Sequence, residues 1–286
     1  MKKIILIVAG CLATILTFVI LLKCVDHEKH LPTKPNNPLI TTPKPSTPPI
    51  SPIKNEPKWS IYPPTHNIHN LGKILSDVES HMDYSKIPTL GNGIYQNNDR
   101  VTWTHETTHG INGVLRNLYG YAQNSECLYC LDSKFVMIQE PKIAKNIAQA
   151  YVPPSLQQTV FNTLQRNYNA LYVLDEWISY TNGSEAKLDL NLTTRGGTVQ
   201  YMTNHIVYTL ATAMTIQEHD PDYNDTQLKA FVKWNIERNF KILNQDQSGE
   251  GRAYLETFRT SEDAATLRAF SQEWLGQDFT KKYFKF

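Results

Sequence analysis

The sequence predicts an α+β fold of the mainly α-helical kind, and three observations lead there. Apolar residues recur at intervals of three and four through most of residues 59–286. Cap and stop residues bracket those runs. Strand candidates are few and short, confined to 84–96, 132–138 and 186–194, enough for one small sheet.

In chain order, the first element is an almost purely apolar run of nineteen residues, Ile4 to Leu22, with Lys2 and Lys3 before it and Lys23 after it. That length spans a bilayer. The short, positive N-terminal flank favours a cytoplasmic N-terminus, so residues 1–30 are expected to be a membrane anchor holding the rest of the chain outside the cytoplasm, in the periplasm or at the cell surface. A cleaved secretory signal, which would leave the domain secreted, and a lipoprotein signal at "VAGC" (8–11) are the competing readings. Residues 31–58 carry nine of the sixteen prolines and no aromatic side chain. Such a segment buries no core and reads as an extended spacer that reaches roughly 80 Å in the polyproline conformation.

The remaining stretch, 59–286, is expected to be one domain. "NIHNLGKILSDVESHM" (67–82) opens it with a helical period, and "GNGIYQ" (91–96) reads as a turn and a short extended piece. A helix over about 98–119 follows, with Ile111, Val114, Leu115 and Leu118 along one face and Gly120 as its stop. Residues 155–183 read as one long helix or two abutting ones, capped by Ser155 and closed by Asn182-Gly183; 197–219, 226–245 and 261–276 add three more. Cys127 and Cys130, in "ECLYCL", read as a small disulfide of an exported domain. The net charge of +1, with no basic stripe interleaved with aromatics, argues against a nucleic-acid partner.

The chemistry concentrates in "WTHETTHGIN" (103–112). On a helix, positions four apart share a face, so His105 and His109 can aim ring nitrogens at one metal ion. Glu106 is rotated about 100° from His105 and stands beside that ion without ligating it. There it can take a proton from a metal-activated water and return it to a leaving amine. With nine histidines in the chain, about 0.01 such patterns are expected by chance. Zinc suits imidazole and carboxylate donors, and a catalytic zinc takes three protein ligands and keeps the fourth position for water. For the third ligand, "LDEWISYTNG" (174–183) offers Glu176 among Tyr172, Trp177 and Tyr180; Asp175 and His205 are the alternatives, and Asp175 can instead orient a ligand histidine. The spacing with a glycine and a further ligand just after the second histidine is absent, since Asn112 and Leu115 stand there.

"HETTH" with a later "DEW" resembles the zincin metallopeptidases, specifically the gluzincin branch that includes thermolysin, over these two short stretches. The resemblance implies a zincin-like metallopeptidase domain with an active-site helix and a small sheet, His105, His109 and Glu176 as zinc ligands, and Glu106 as general base. Where that branch has asparagine before the glutamate and aspartate three residues after it, this chain has Asp175 and Ser179. Peptide hydrolysis also needs a donor for the developing oxyanion; Tyr201, His205, Tyr180 and Arg195 are the candidates. The cluster "QEHDPDYND" (217–225) reads as a solvated helix end, with a hard-cation site as the alternative. Sequons begin at Asn182, Asn191 and Asn224.

These readings combine into a membrane-tethered, extracytoplasmic zinc metallopeptidase acting on protein or peptide substrates. Two alternatives stand beside it: a non-catalytic envelope binding protein on a zincin scaffold, and a zinc-dependent amidase or cell-wall hydrolase.

Overall fold

A computed structural model describes residues 56–86, 99–143, 151–157, 169–192 and 197–286. The segment 4–22, most of the 31–58 spacer, residues 87–96 and 158–168, and Arg195 lie outside them. No helix among the described residues is long and apolar enough to cross a membrane. The expected membrane anchoring, and the extracytoplasmic location resting on it, are withdrawn on that finding.

The chain is mainly helical with one small sheet, as its periodicity predicts. Strand β1 (Trp59–Ile61) precedes helix α1 (Lys73–His81) and helix α2 (Arg100–Leu115). Asp99 caps α2 by accepting the Thr102 amide at 3.3 Å. After Leu115 the chain loosens into a π turn over Arg116–Gly120. The wider turn rotates Leu118 off the apolar face, so Leu118 is exposed while Ile111, Val114 and Leu115 are buried.

A hairpin of β2 (Ser125–Tyr129) and β3 (Lys134–Gln139) follows, and β1 pairs with the far edge of β3, giving an antiparallel sheet in the order β1-β3-β2. Residues of β2 and β3 point alternately to two apolar clusters. Leu128, Val136 and Ile138 join the larger one, and Cys127, Tyr129 and Phe135 join the smaller one with α1 and α2 residues. Because β2 is covered on both faces, all five of its residues are buried. It lacks the alternation that marks a strand in sequence. The same geometry removes the expected disulfide: Cys127 and Cys130 are three residues apart on extended chain, point into different clusters and are free thiols, each pushed up to about 12 by burial.

Helix α3 (Tyr172–Asp189) runs straight through Asn182-Gly183, the expected stop, and turns 186–189 from a strand candidate into a helical turn. Asn182, which begins one of the sequons, is wholly buried in the folded chain. Helix α4 (Thr198–His219) and helix α5 (Thr226–Gln245) follow as predicted. Helix α6 (Glu250–Thr260) has no counterpart among the expected elements; α7 (Ala265–Leu275) falls within the expected 261–276 helix, and α8 (Gln277–Tyr283) closes the chain. Trp177, Met202, Ile206, Phe231 and Phe258 fill the core shared by α3 to α6.

Candidate metal centre

Helix α2 lies between the sheet and α3 and is buried around most of its circumference. Its threonines adapt it to that position: Thr104 and Thr108 return their hydroxyls to the carbonyls of Arg100 and Thr104, at 2.8 Å each. Close approach of α3 depends on Gly183. A Cβ there would stand 3.3 Å from the Val101 carbonyl oxygen and 3.5 Å from the His105 Cβ.

That approach brings His105, His109 and Glu176 together, and the three can hold a metal ion. The two imidazole Nε2 atoms are 3.1 Å apart, and Glu176 Oε2 lies 3.5 Å from that of His109 and 3.8 Å from that of His105. Donors at zinc distances of about 2.0–2.1 Å in a tetrahedron are separated by roughly 3.4 Å, so the three spacings straddle the value zinc needs. Among the described residues, no other group of three such side chains converges in this way. The 217–225 cluster is a helix end whose Asp220 accepts the Lys142 amide and whose Tyr223 hydroxyl donates to the Gln139 carbonyl.

Each donor is oriented by a second contact. The Tyr172 hydroxyl donates to Glu176 Oε1 at 2.6 Å, which leaves Oε2 facing the histidines. Asp175 stands behind His109, outside the group of three: its Oδ1 accepts from His109 Nδ1 at 2.9 Å, directing Nε2 inward. Asn112 donates to the same Oδ1 at 2.5 Å and accepts the Tyr129 amide at 2.7 Å, tying Asp175 to β2. Arg116, 3.4 Å from Asp175 Oδ2, is itself held by Glu126 at 2.5 Å. Asn112, Arg116 and Glu126 are the residues of this site that the sequence leaves unmarked. Asn112 was visible only as the residue standing in place of a glycine.

Electrostatics separate the two histidines. Burial holds His105 neutral, with its pKa lowered to about 3, and the neighbouring His109 acts in the same direction. His109 is also penalised by burial, but Asp175 and Glu176 outweigh this and raise it well above the usual range. Burial opposes ionisation of Glu176, yet His109 and His105 draw its pKa far down and keep it anionic. Glu106 is half-buried on α2, and its pKa is raised by burial and by the charges of Glu176 and Asp175, with His109 acting against them.

The expected oxyanion donors fare differently. The Tyr180 ring packs 4.2 Å from the His105 ring and 5.2 Å from that of His205, and burial raises its hydroxyl pKa, keeping the proton in place. Tyr201 is reached through Tyr180, ring centroids 5.4 Å apart, and is 39% exposed. His205 is fully buried and depressed in pKa by that burial; its Nδ1 sits 2.7 Å from the Tyr201 carbonyl, which only accepts. The neutral ring therefore carries its proton on Nδ1 and presents an unpartnered lone pair at Nε2. In this tautomer His205 accepts protons and does not donate to an oxyanion.

No known protein family matches the sequence, and no curated protein or solved structure matches it.

Proposed function

We propose that the protein is a zinc-dependent hydrolase of peptide bonds with a zincin-like catalytic arrangement. The observation that carries this reading is the set of spacings, 3.1, 3.5 and 3.8 Å, among His105 Nε2, His109 Nε2 and Glu176 Oε2, with an unligated glutamate beside them. His105, His109 and Glu176 would hold the ion, and the chemistry supplied there would be that of a Lewis acid that activates a water near neutral pH.

The remaining roles fall to side chains. Asp175 keeps the His109 proton on Nδ1 and Tyr172 keeps Glu176 turned inward. Glu106, on the face next to the ligands, receives the proton from the attacking water on its carboxylate and passes it to the leaving amine. Its raised pKa suits the first half of that exchange, because a more basic carboxylate takes the proton from the water more readily. The Tyr180 hydroxyl, and the Tyr201 hydroxyl at the surface, are the donors available to a developing oxyanion.

A catalytic role is favoured over a binding role by Glu106, which metal retention does not need. The test is Glu106→Gln. Zinc content by elemental analysis stays at about one per chain, while cleavage of a peptide library falls about 10²- to 10⁴-fold. His105→Ala combined with His109→Ala loses both. Full hydrolysis by Glu106→Gln, or a chain that binds no zinc although folded, overturns the reading.

A further inference from the structure

We propose that Ser133 is a second nucleophilic centre, activated by His81 and separate from the metal site, which takes acyl or phosphonyl groups from electrophilic esters. His81 ends helix α1 and is 3% exposed. Its Nδ1 lies 2.7 Å from the main-chain carbonyl of Asp77. A carbonyl only accepts, so the proton resides on Nδ1 and the lone pair on Nε2. That lone pair faces Ser133 Oγ at 2.9 Å, and the serine hydroxyl donates to it. This is the tautomer a general base requires.

The imidazole is held from behind. Asp77 Oδ1 lies 3.6 Å from Nδ1, placing a carboxylate where positive charge develops when the ring takes a proton. Asp77 Oδ2 accepts from the Tyr129 hydroxyl at 2.8 Å and from the Asp132 amide at 3.2 Å, and the Tyr129 oxygen is itself 2.8 Å from His81 Nδ1. The nucleophile is partly exposed while its base is buried, so a reagent reaches Oγ from the solvent side.

The backbone supplies an independent observation. Leu131, Asp132 and Ser133 are consecutive non-glycine residues with φ of 67°, 49° and 61°. Left-handed backbone is unfavourable for side chains of this kind, above all for leucine and serine. A hairpin that needed only to turn would be served by glycine or asparagine. Here the strained loop is retained and fixes Ser133 against a base, with the Ser133 carbonyl anchored by the Tyr62 amide at 2.8 Å.

The step balances without metal or oxidant. Ser133 Oγ attacks the carbonyl carbon of an ester as His81 Nε2 takes the hydroxyl proton. The bond from carbon to the alcohol oxygen then breaks, and His81 returns the proton to the departing alkoxide. The products are a Ser133 ester and a free alcohol. With an alkyl fluorophosphonate the attacked atom is phosphorus, the P–F bond breaks and fluoride leaves.

The full-length chain is treated with a fluorophosphonate probe in the presence of a chelator, and adducts are quantified residue by residue by peptide mass spectrometry. Ser133 is labelled at least tenfold above the exposed serines Ser85 and Ser155. The adduct is absent in Ser133→Ala, at least tenfold weaker in His81→Gln, and undiminished in Glu106→Gln. Labelling of Ser133 no greater than that of Ser85 in the wild-type chain overturns the proposal, whether or not the variants fold. It leaves the Ser133 contact as a tie between hairpin and helix, without bearing on the metal centre.

Discussion

Asp175 decides which nitrogen of His109 is free, and it does so as a neighbour of the candidate ligand Glu176 on the same helix turn. Asp175→Asn removes the charge that holds the Nδ1 proton, so zinc affinity falls about 10- to 100-fold, measured by competition with a chromophoric chelator. Glu176→Ala costs more, because it deletes a donor; an Asp175→Asn variant that binds zinc as tightly as wild type shows that the contact does not orient the ring. Glu140 illustrates a different residue-scale effect. Burial raises its pKa from 4.5 to about 7, although its side chain is hydrogen-bonded to Asn169, and one of its oxygens has no partner. Below about 4.5 the folded and unfolded chains both hold the proton; as pH rises to about 7 the unfolded chain has released it first, so stability falls across that window. Glu140→Gln is therefore expected to raise Tm at pH 8, by the equivalent of about 1 kcal/mol after allowing for solvent screening, and to leave it unchanged at pH 4.5. Thermal unfolding at the two pH values checks the sign; an equal shift at both refutes the ionisation account.

At the scale of elements, the site is a crossing of α2 and α3 with Gly183 at the contact, where any added side chain presses on the Val101 carbonyl. Asn-Gly is ordinarily a turn signal, and here it lies mid-helix because packing against α2 rewards the missing Cβ more than helix propensity penalises it. Gly183→Val presses on the Val101 carbonyl and the His105 Cβ, displacing Glu176 relative to the histidines. Zinc affinity drops at least tenfold and stability by about 1–3 kcal/mol, read by metal titration and by denaturant unfolding. Unaltered metal affinity in this variant shows that the approach of the helices is not what sets the ligand spacing. The strands obey the same logic: β3 overlaps the expected 132–138 segment as a short apolar run, whereas β2 was hidden because the two clusters that cover it come from distant parts of the chain.

For the whole molecule, the candidate metal site joins α2 to α3, and α2 in turn touches the sheet through Asn112 and Tyr129. A ligand bound by the folded state alone stabilises that state by mass action, by about 4 kcal/mol at a thousandfold excess over Kd. Chelation is therefore expected to lower Tm by roughly 10 °C in a domain of this size, an effect that zinc restores. No change of Tm on removal of bound zinc shows that the ion does not brace the helix crossing.

The mainly helical character of the chain, the places of α4 and α5, and the shared helix face of His105 and His109 with Glu106 beside them are all readable from residue spacing. Those properties are local: they follow from spacings of three and four within a single element. Packing, by contrast, sets that Glu176 faces the histidines while Asp175 turns behind His109, that Cys127 and Cys130 point apart, that His205 offers a lone pair, and that Ser133 meets His81. Each of these depends on which residues distant in sequence arrive at the same place, which is set by the packing of helices and sheet around two shared cores and by no spacing along the chain.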